Sequence, residues 1–252
     1  MNTASRRKAI VERINTEGFV SFATLKTNFP FVSEATMRND LKILDEQSKI
    51  VRVFGGAKSV QQVIGTDDFY TLRYERNMAE KRMIAEKAVG LLRPNESIYT
   101  DSGTTLMEFS KCIPDERYLI LTSSLSNAIE MAKLTKPDVH VVGGKLNRFS
   151  LSTYGGKSIT ELQSINFNMA FLGATAYSEE YGFMGGSENE SIMKRIVMER
   201  SGKVVMLMDS SKVGKTSTYT FATLKDIDIL VCDDGLNEKT RRYFESQNVK
   251  VI

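Results

Sequence analysis

The chain of 252 residues is 41% hydrophobic and 26% charged, an ordinary globular composition with room for one large and one small domain. No apolar run is long enough to span a membrane and the N-terminus carries no apolar signal region, so a cytoplasmic protein without a membrane partner is expected. Cys112 and Cys232 read as reduced core residues without metal-ligand spacing, and the single histidine, His140, sits in a strand-like run, so neither a metal site nor a cofactor is expected.

The net charge of +3 is unevenly placed. Through residue 57 there are nine Lys and Arg against six Asp and Glu, and the rest of the chain is balanced. An N-terminal basic excess directs the search for a nucleic-acid contact to that quarter. Residues 5–17 read as a helix with Ala9, Ile10 and Ile14 inward, ended by Gly18. Phe19–Ser21 is extended, and Ser21 caps a second helix over Phe22–Asn28. Pro30 and Phe31 make a turn, and Ser33 caps a third helix that runs to about Gln47. Met37, Leu41 and Leu44 share one face of it, while Glu34, Ala35, Arg38, Asn39 and Lys42 share the other. Such a face is either a solvated amphipathic surface or a recognition helix. In the second case Arg38 and Asn39 would read guanine and adenine, with Ser33, Thr36 and Lys42 nearer the backbone. Ile50–Gly56 suits the wing of a winged helix, with Arg52 near a phosphate.

The run Ser33-Glu34-Ala35-Thr36-Met37-Arg38-Asn39-Asp40-Leu41, with Arg52-Val53-Phe54-Gly55-Gly56-Ala57 after it, resembles the signature of the DeoR family of bacterial transcriptional regulators. The family usually carries two consecutive Arg in the helix and a His before the Gly pair. Arg38-Asn39 and Phe54 stand there instead, so the operator sequence does not carry over.

Residues 58–73 read as a linker between a DNA-binding domain at 1–57 and a sensing and oligomerisation domain at 74–252. A helix opens at Asn77, with Glu80 completing a capping box, and runs to about Leu92. Strands are then predicted at 97–100, 118–122, 138–142, 168–173, 203–208 and 228–232. They alternate with helices at 105–112, 125–134, 158–164, 188–200 and 237–247. Ser158 with Glu161 and Ser187 with Glu190 suggest two more capping boxes. The alternation predicts an α/β domain with a mostly parallel, Rossmann-like sheet, whose ligands bind beyond the C-terminal strand ends.

Polar or glycine-containing loops fall at those ends: Asp101-Ser102-Gly103-Thr104-Thr105, Thr122-Ser123-Ser124, Gly143-Gly144, Gly173 with Ala174, and Asp209–Lys212. The first is either a phosphate-holding turn at a helix N-terminus or a plain capped turn with Thr105 and Glu108 as its box. Lys194 and Lys212 are the candidate cations for a phosphate or an acidic sugar. These loops also resemble the DeoR-family effector domain, similar in fold to ribose-5-phosphate isomerase, and Glu190 with Lys194 lies in the expected order. The resemblance implies a regulator, usually a repressor, that senses a phosphorylated sugar or related metabolite; a reading module this small, with a charge of +3, binds operator DNA weakly alone, so a dimer or tetramer is expected. The resemblance carries effector phosphate to Ser102, Gly103, Thr104 and Thr105, and leaves Asp101 for sugar hydroxyls or for shaping the loop.

Two alternatives stand beside this reading, a sugar-phosphate isomerase with an attached DNA-binding domain and a regulator whose C-terminal domain only oligomerises, and a nucleotide-binding enzyme is set aside. A sugar-phosphate isomerase needs a carboxylate base, but the isomerase Asp-Gly-Ala-Asp segment reads Leu172-Gly173-Ala174-Thr175 here, which leaves Glu190 as the remaining candidate base. Val213-Gly214-Lys215-Thr216 ends like a nucleotide-binding loop, but Asp209 stands where its first glycine belongs.

Overall fold

A computed structural model describes residues 3–47, 49–53, 55–59, 73, 74 and 76–252. The chain divides into two compact units, residues 1–69 and 70–252. Phe54 and residues 60–72, most of the predicted linker, lie outside the described residues.

The first unit is helical with a small sheet. Helices α1 (Thr3–Glu17), α2 (Phe22–Asn28) and α3 (Glu34–Glu46) accompany strands β1 (Phe19–Ser21), β2 (Ile50–Val53) and β3 (Gly56–Ser59). The strands pair antiparallel in the order β1-β3-β2. Gly18 ends α1 at φ 76°, and Ser21 and Ser33 accept from the amides of Thr24 and Thr36 as N-caps. Ile10, Ile14, Leu25, Met37, Leu41 and Leu44 form the core with Val20, Ile50 and Ala57. Strand β3 continues two residues past the predicted boundary at 57. Ser59 is fully buried, and its hydroxyl donates to Asn15 Oδ1 at 2.7 Å, which holds that end of the wing against α1. A Cβ on Gly56 would lie 2.4 Å from the Val20 carbonyl, so glycine there lets the wing pack against β1.

The second unit is built on seven parallel strands: β4 (Ser97–Thr100), β5 (Leu119–Thr122), β6 (Asp138–Val141), β9 (Met169–Gly173), β12 (Val204–Leu207), β14 (Ile229–Val231) and β15 (Lys250–Val251). Their order is β15-β14-β12-β9-β4-β5-β6. Helices α4 (Met78–Val89), α5 (Thr104–Cys112), α6 (Leu125–Met131), α7 (Gly156–Gln163), α8 (Glu188–Glu199) and α9 (Glu238–Ser246) are interleaved with them. Successive side chains of a strand point to opposite faces, so one strand feeds two cores. Ile98, Phe171 and Val205 pack with Ile84, Leu106 and Phe109 on one side. Their neighbours Tyr99, Leu172 and Met206 pack with Leu162, Met193, Val197 and Phe244 on the other. Burial on both faces is why these strands read as continuous apolar runs.

Two small antiparallel elements sit among the loops. One is the hairpin β7 (Lys145–Asn147)–β8 (Ser152–Tyr154). The other is the sheet β10 (Ala176–Ser178), β11 (Gly182–Gly185) and β13 (Tyr219–Ala222), ordered β10-β11-β13. From β4 the chain builds outward through β5 and β6, then returns to place β9 on the other side of β4. The boundary between β4 and β9 is therefore the topological switch point of the sheet, where loops diverge and leave a crevice. Among the described residues no helix is long and apolar enough to cross a membrane.

Candidate functional sites

The first site is the outer face of α3. Met37, Leu41 and Leu44 are buried, whereas Glu34, Ala35, Thr36, Arg38, Asn39 and Lys42 are exposed, as the periodicity predicts. The Arg38 guanidinium lies 4.4 Å from the centre of the Phe22 ring and 3.9 Å from Glu34, so the aromatic face steadies a side chain that still reaches solvent. Ser33 and Thr36 are joined by their hydroxyls at 2.8 Å within the cap. Arg52 is exposed, and its amide donates to Asp45 at 3.0 Å, tying the wing to the end of α3. Asp40 was not singled out in the sequence. It is buried and accepts from Arg6 Nε at 2.6 Å and Arg7 Nε at 2.8 Å, an ion-pair cluster that locks α3 to α1.

The second site is the C-terminal edge of the parallel sheet. Gly103 stands between β4 and α5 at φ 123°, a conformation open to glycine, and a Cβ there would meet nothing within 4 Å. Gly103→Ala is therefore a test of strain without a clash. It is expected to cost about 1–3 kcal/mol in chemical denaturation, or to reshape the loop instead. The first amides of α5 have no intrahelical acceptors and face the dipole-positive end of the helix. No side chain caps this terminus, so the predicted box of Thr105 and Glu108 does not form. Glu108 is instead drawn to Lys111 at 2.7 Å and Arg82 at 3.6 Å.

Asp101, expected to meet sugar hydroxyls or to shape the loop, and Lys194, expected as a cation for a phosphate or acidic sugar, meet as a buried ion pair. Asp101 Oδ2 also accepts from the Gly173 amide at 3.1 Å, and Lys194 donates to the Gly173 carbonyl at 2.6 Å. The pair stitches β4 to β9 at the switch point, and each charge neutralises the other inside the fold. The Thr122–Ser124 loop lies beneath and is likewise occupied. Thr122 accepts from the Ser124 amide at 3.0 Å, Ser123 bonds Tyr99 at 3.0 Å, and Ser124 caps α6 through the Asn127 amide. Asn127, fully buried, donates to the Asp101 carbonyl at 2.9 Å.

The glycine pair supports the hairpin. Gly143 donates to Glu161 at 3.1 Å and accepts from Ser158, so those two residues serve this contact in place of a capping box. Gly144 is at φ 152°, and a Cβ there would lie 2.3 Å from Ser158 Oγ. Glu190 accepts at Oε1 from Ser150 at 2.5 Å, Ser152 at 2.9 Å and Asn147 at 3.2 Å, clamping the β7–β8 turn. Its amide still bonds the Ser187 cap, at 3.4 Å, so half of that predicted box survives.

Asp209 is buried and accepts from Asn77 Nδ2 at 3.0 Å. Asn77 opens α4 in the left-handed region at φ 51° without capping it, and its amide also reaches Ser211 at 3.0 Å. Burial lowers the Lys212 ammonium below the usual lysine range. Asp209 opposes this, while Lys215, Arg73 and Arg76 add to it. Burial likewise lowers Lys81 to about 8, with Asp209 opposing and Lys212 and Arg73 adding. Lys81 donates to the Arg73 and Arg76 carbonyls, Asn77 to Asp209, and the Lys212 amide to the Asp209 carbonyl, so Arg73, Arg76, Lys81 and Lys212 gather around Asp209. Sequence reasoning missed Lys81, although a lysine one turn before Ile84 and Ala85 on the apolar stripe of a helix was the available signal. Among the described residues no group of His, Cys, Asp and Glu could hold a metal ion.

A winged helix-turn-helix unit, joined to a parallel-sheet unit with a polar, cationic edge, defines a DNA-binding regulator with a sensor domain. Residues 6–63 match the family model for the DeoR-like helix-turn-helix domain, and residues 76–234 match the DeoR C terminal sensor domain. The chain belongs to the DeoR family of transcriptional regulators. It is similar to the HTH-type transcriptional regulator GlpR of Haloferax volcanii, at 34% identity over 100% of this chain and 98% of that one. It is also similar to the HTH-type transcriptional repressor GlcR of Bacillus subtilis, at 31% identity over 88% of this chain and 85% of that one. A putative aga operon transcriptional repressor of Escherichia coli O157:H7 is 29% identical over 99% and 93%. Among solved structures, ribose 5-phosphate isomerase A from Methanocaldococcus jannaschii is a partial likeness. It has a TM-score of 0.40 and 17% identity, covering 54% of this chain and 55% of that one.

Proposed function

We propose that this chain is an operator-binding repressor of carbohydrate-metabolism genes, acting in the cytoplasm and released or engaged by a phosphorylated sugar. The observation that carries the reading is the open N-terminus of α5, with Gly103 at its head, in a domain whose edge gathers several cations. Ser102, Gly103, Thr104 and Thr105 hold the phosphate through backbone amides and hydroxyls, and Lys212 supplies charge. The Asp101–Lys194 pair and Glu190 shape the site, with sugar hydroxyls meeting the polar groups around them. On the DNA side Arg38 and Asn39 read base edges, and Ser33, Thr36, Lys42 and Arg52 position the unit on phosphates. One small reading unit binds weakly, so the working form is a dimer or tetramer on repeated half-sites. The DNA-reading domain extends through the wing to Ser59 and the sensor begins near Arg73. The repressors named among the relatives support the sign of regulation.

The effector acts by binding two arrangements of the oligomer unequally. Thermal unfolding against a panel of sugar phosphates and their parent sugars tests the sensor, because a ligand of the folded state raises the midpoint. A shift with a phosphorylated sugar and none with its parent is expected. Arg38→Ala is expected to weaken operator binding about 10-fold or more, by loss of a base contact of roughly 1–3 kcal/mol, and to leave that shift intact. Thr104→Val is expected to do the reverse. Equal damage to both activities by both substitutions in folded protein overturns the division of labour.

Isomerase turnover is not expected. By the resemblance drawn from sequence, Thr175 takes the place of an isomerase carboxylate, and Glu190 is committed at one oxygen to three donors. Conversion of a pentose or hexose phosphate above background by purified protein overturns this.

A further inference from the structure

The first described residues of the second unit, Arg73 and Tyr74, lie across the loops of the proposed effector site. Their attachments are numerous for so short a stretch. The Arg73 carbonyl accepts from Thr104 Oγ1 at 3.4 Å, and its guanidinium donates to the Phe149 carbonyl at the tip of the β7–β8 hairpin, also at 3.4 Å. The Tyr74 hydroxyl accepts from Lys111, whose ammonium lies 5.0 Å from the centre of the Tyr74 ring. Asn77 donates to Asp209 and Ser211. This stretch therefore touches the loops after β4 and β12, the hairpin after β6, and helix α5.

Lys81 holds it in place. Its side chain is buried, and its ammonium donates to the carbonyls of Arg73, Arg76 and, at 3.4 Å, Tyr74. An ammonium is a compact charge with three donors, and three main-chain carbonyls within four residues use all of them. Burying such a charge is costly unless its hydrogen bonds are made, so the bonds tie the shape of the turn to the first helix of the sensor. Among the described residues no carboxylate forms a direct ion pair with Lys81. Its attachment is to the backbone of the incoming chain.

We propose that Arg73, Tyr74, Arg76 and Asn77 form a coupling strap: the outer wall of the effector site and the first described residues of the sensor are the same piece of chain, and Lys81 is their positioning residue. An anion settling on the α5 amides would press on Thr104 and Arg73, and any change there lies directly on the path of the chain leading to the DNA-reading unit. The proposal rests on the phosphate assignment made above for Ser102–Thr105, and it adds a route from that loop to DNA.

The test uses the full chain, inorganic phosphate as the probe, hydrogen exchange at backbone amides, and a DNA fragment selected by the wild-type protein from a random pool. In wild type, millimolar phosphate slows exchange at 103–106 and at 73–77 together, and changes DNA affinity several-fold. Lys81→Met, similar in length and apolar, is expected to speed exchange at 73–77 about 10-fold without phosphate. With one cation of the edge removed, protection at 103–106 needs a higher phosphate concentration, and at saturating phosphate the change in DNA affinity falls below 2-fold. Asn77→Gly keeps the left-handed backbone, removes the tether from the exposed side, and is expected to act in the same direction if Lys81→Met fails to fold. Wild-type exchange at 73–77 in both variants, or a full DNA response in a folded variant, overturns the strap. If phosphate leaves 103–106 unprotected in wild type, the phosphate assignment fails by itself. The strap then stands only if Lys81→Met both frees 73–77 and shifts DNA affinity more than 2-fold, and it falls otherwise.

Discussion

Lys194→Met is expected to destabilise the sensor unit by about 3–5 kcal/mol, the usual cost of leaving one member of a buried ion pair behind. The reason is the position of Asp101. Its side chain is 4% exposed and lies at the switch point of the sheet, where its carboxylate receives Lys194 and the Gly173 amide. With Lys194 gone, one amide cannot compensate a buried negative charge, and the Gly173 carbonyl loses a donor as well. Urea unfolding followed through the sensor unit measures the loss. The companion variant Asp101→Leu with Lys194→Met removes both charges and is expected to recover much of it, since apolar replacement of a whole buried pair is often neutral or better. A single-variant cost under about 1 kcal/mol would show that the pair is dispensable to the fold and is held for the ligand. Sugar-phosphate binding should weaken in both variants, because the loop that carries Ser102 and Gly103 starts from Asp101.

Asp40→Ala is the corresponding experiment in the DNA-reading unit, with an expected cost of about 2–3 kcal/mol. Two charge-assisted hydrogen bonds set the scale. The cost stays below that of a fully buried pair because Arg6 and Arg7 are 13% and 25% exposed and can rehydrate. Burial alone would raise the Asp40 carboxyl, but the hydrogen bonds and charges of Arg6 and Arg7 outweigh it and hold the group below the usual carboxylate range. A carboxyl lowered in the folded state stabilises fully above its unfolded value, near 3.9, and loses that contribution as the pH falls through the folded value. Urea titrations of this unit at pH 7 and near pH 3 should therefore show a smaller acid loss in Asp40→Ala than in wild type. Operator binding by the variant is expected to fail at a lower temperature, because α3 loses its anchor to α1. An unchanged midpoint at pH 7 would mean that core packing around Met37, Leu41 and Leu44 is enough to set the angle of that helix.

Local pattern by itself determined a large part of this protein. The period of Met37, Leu41 and Leu44 marked the buried face of α3, and Ser21 and Ser33 marked two helix starts that formed as caps. Apolar runs between polar loops located six strands of the parallel sheet, each within two residues of its observed ends. These signals are legible because they arise from neighbours a few residues apart. The short antiparallel strands β7, β8, β10, β11 and β13 were not legible, since three or four residues carry too little period and their pairing partners lie elsewhere in the chain. The carboxylate half of three predicted capping boxes failed for the same reason, although Ser187 still accepts from the Glu190 amide. Glu108, Glu161 and Glu190 had capping partners in the sequence, but Lys111 with Arg82, Gly143, and the hairpin hydroxyls respectively took their carboxylates. The candidate loops were found one by one from sequence. That Asp101 and Lys194 neutralise each other, and that Lys81 ties the incoming chain across those loops, was decided only in tertiary structure. A buried charge takes whichever partner removes its desolvation cost, and that partner is chosen by proximity in space across 93 residues in the first case and by a turn of backbone in the second.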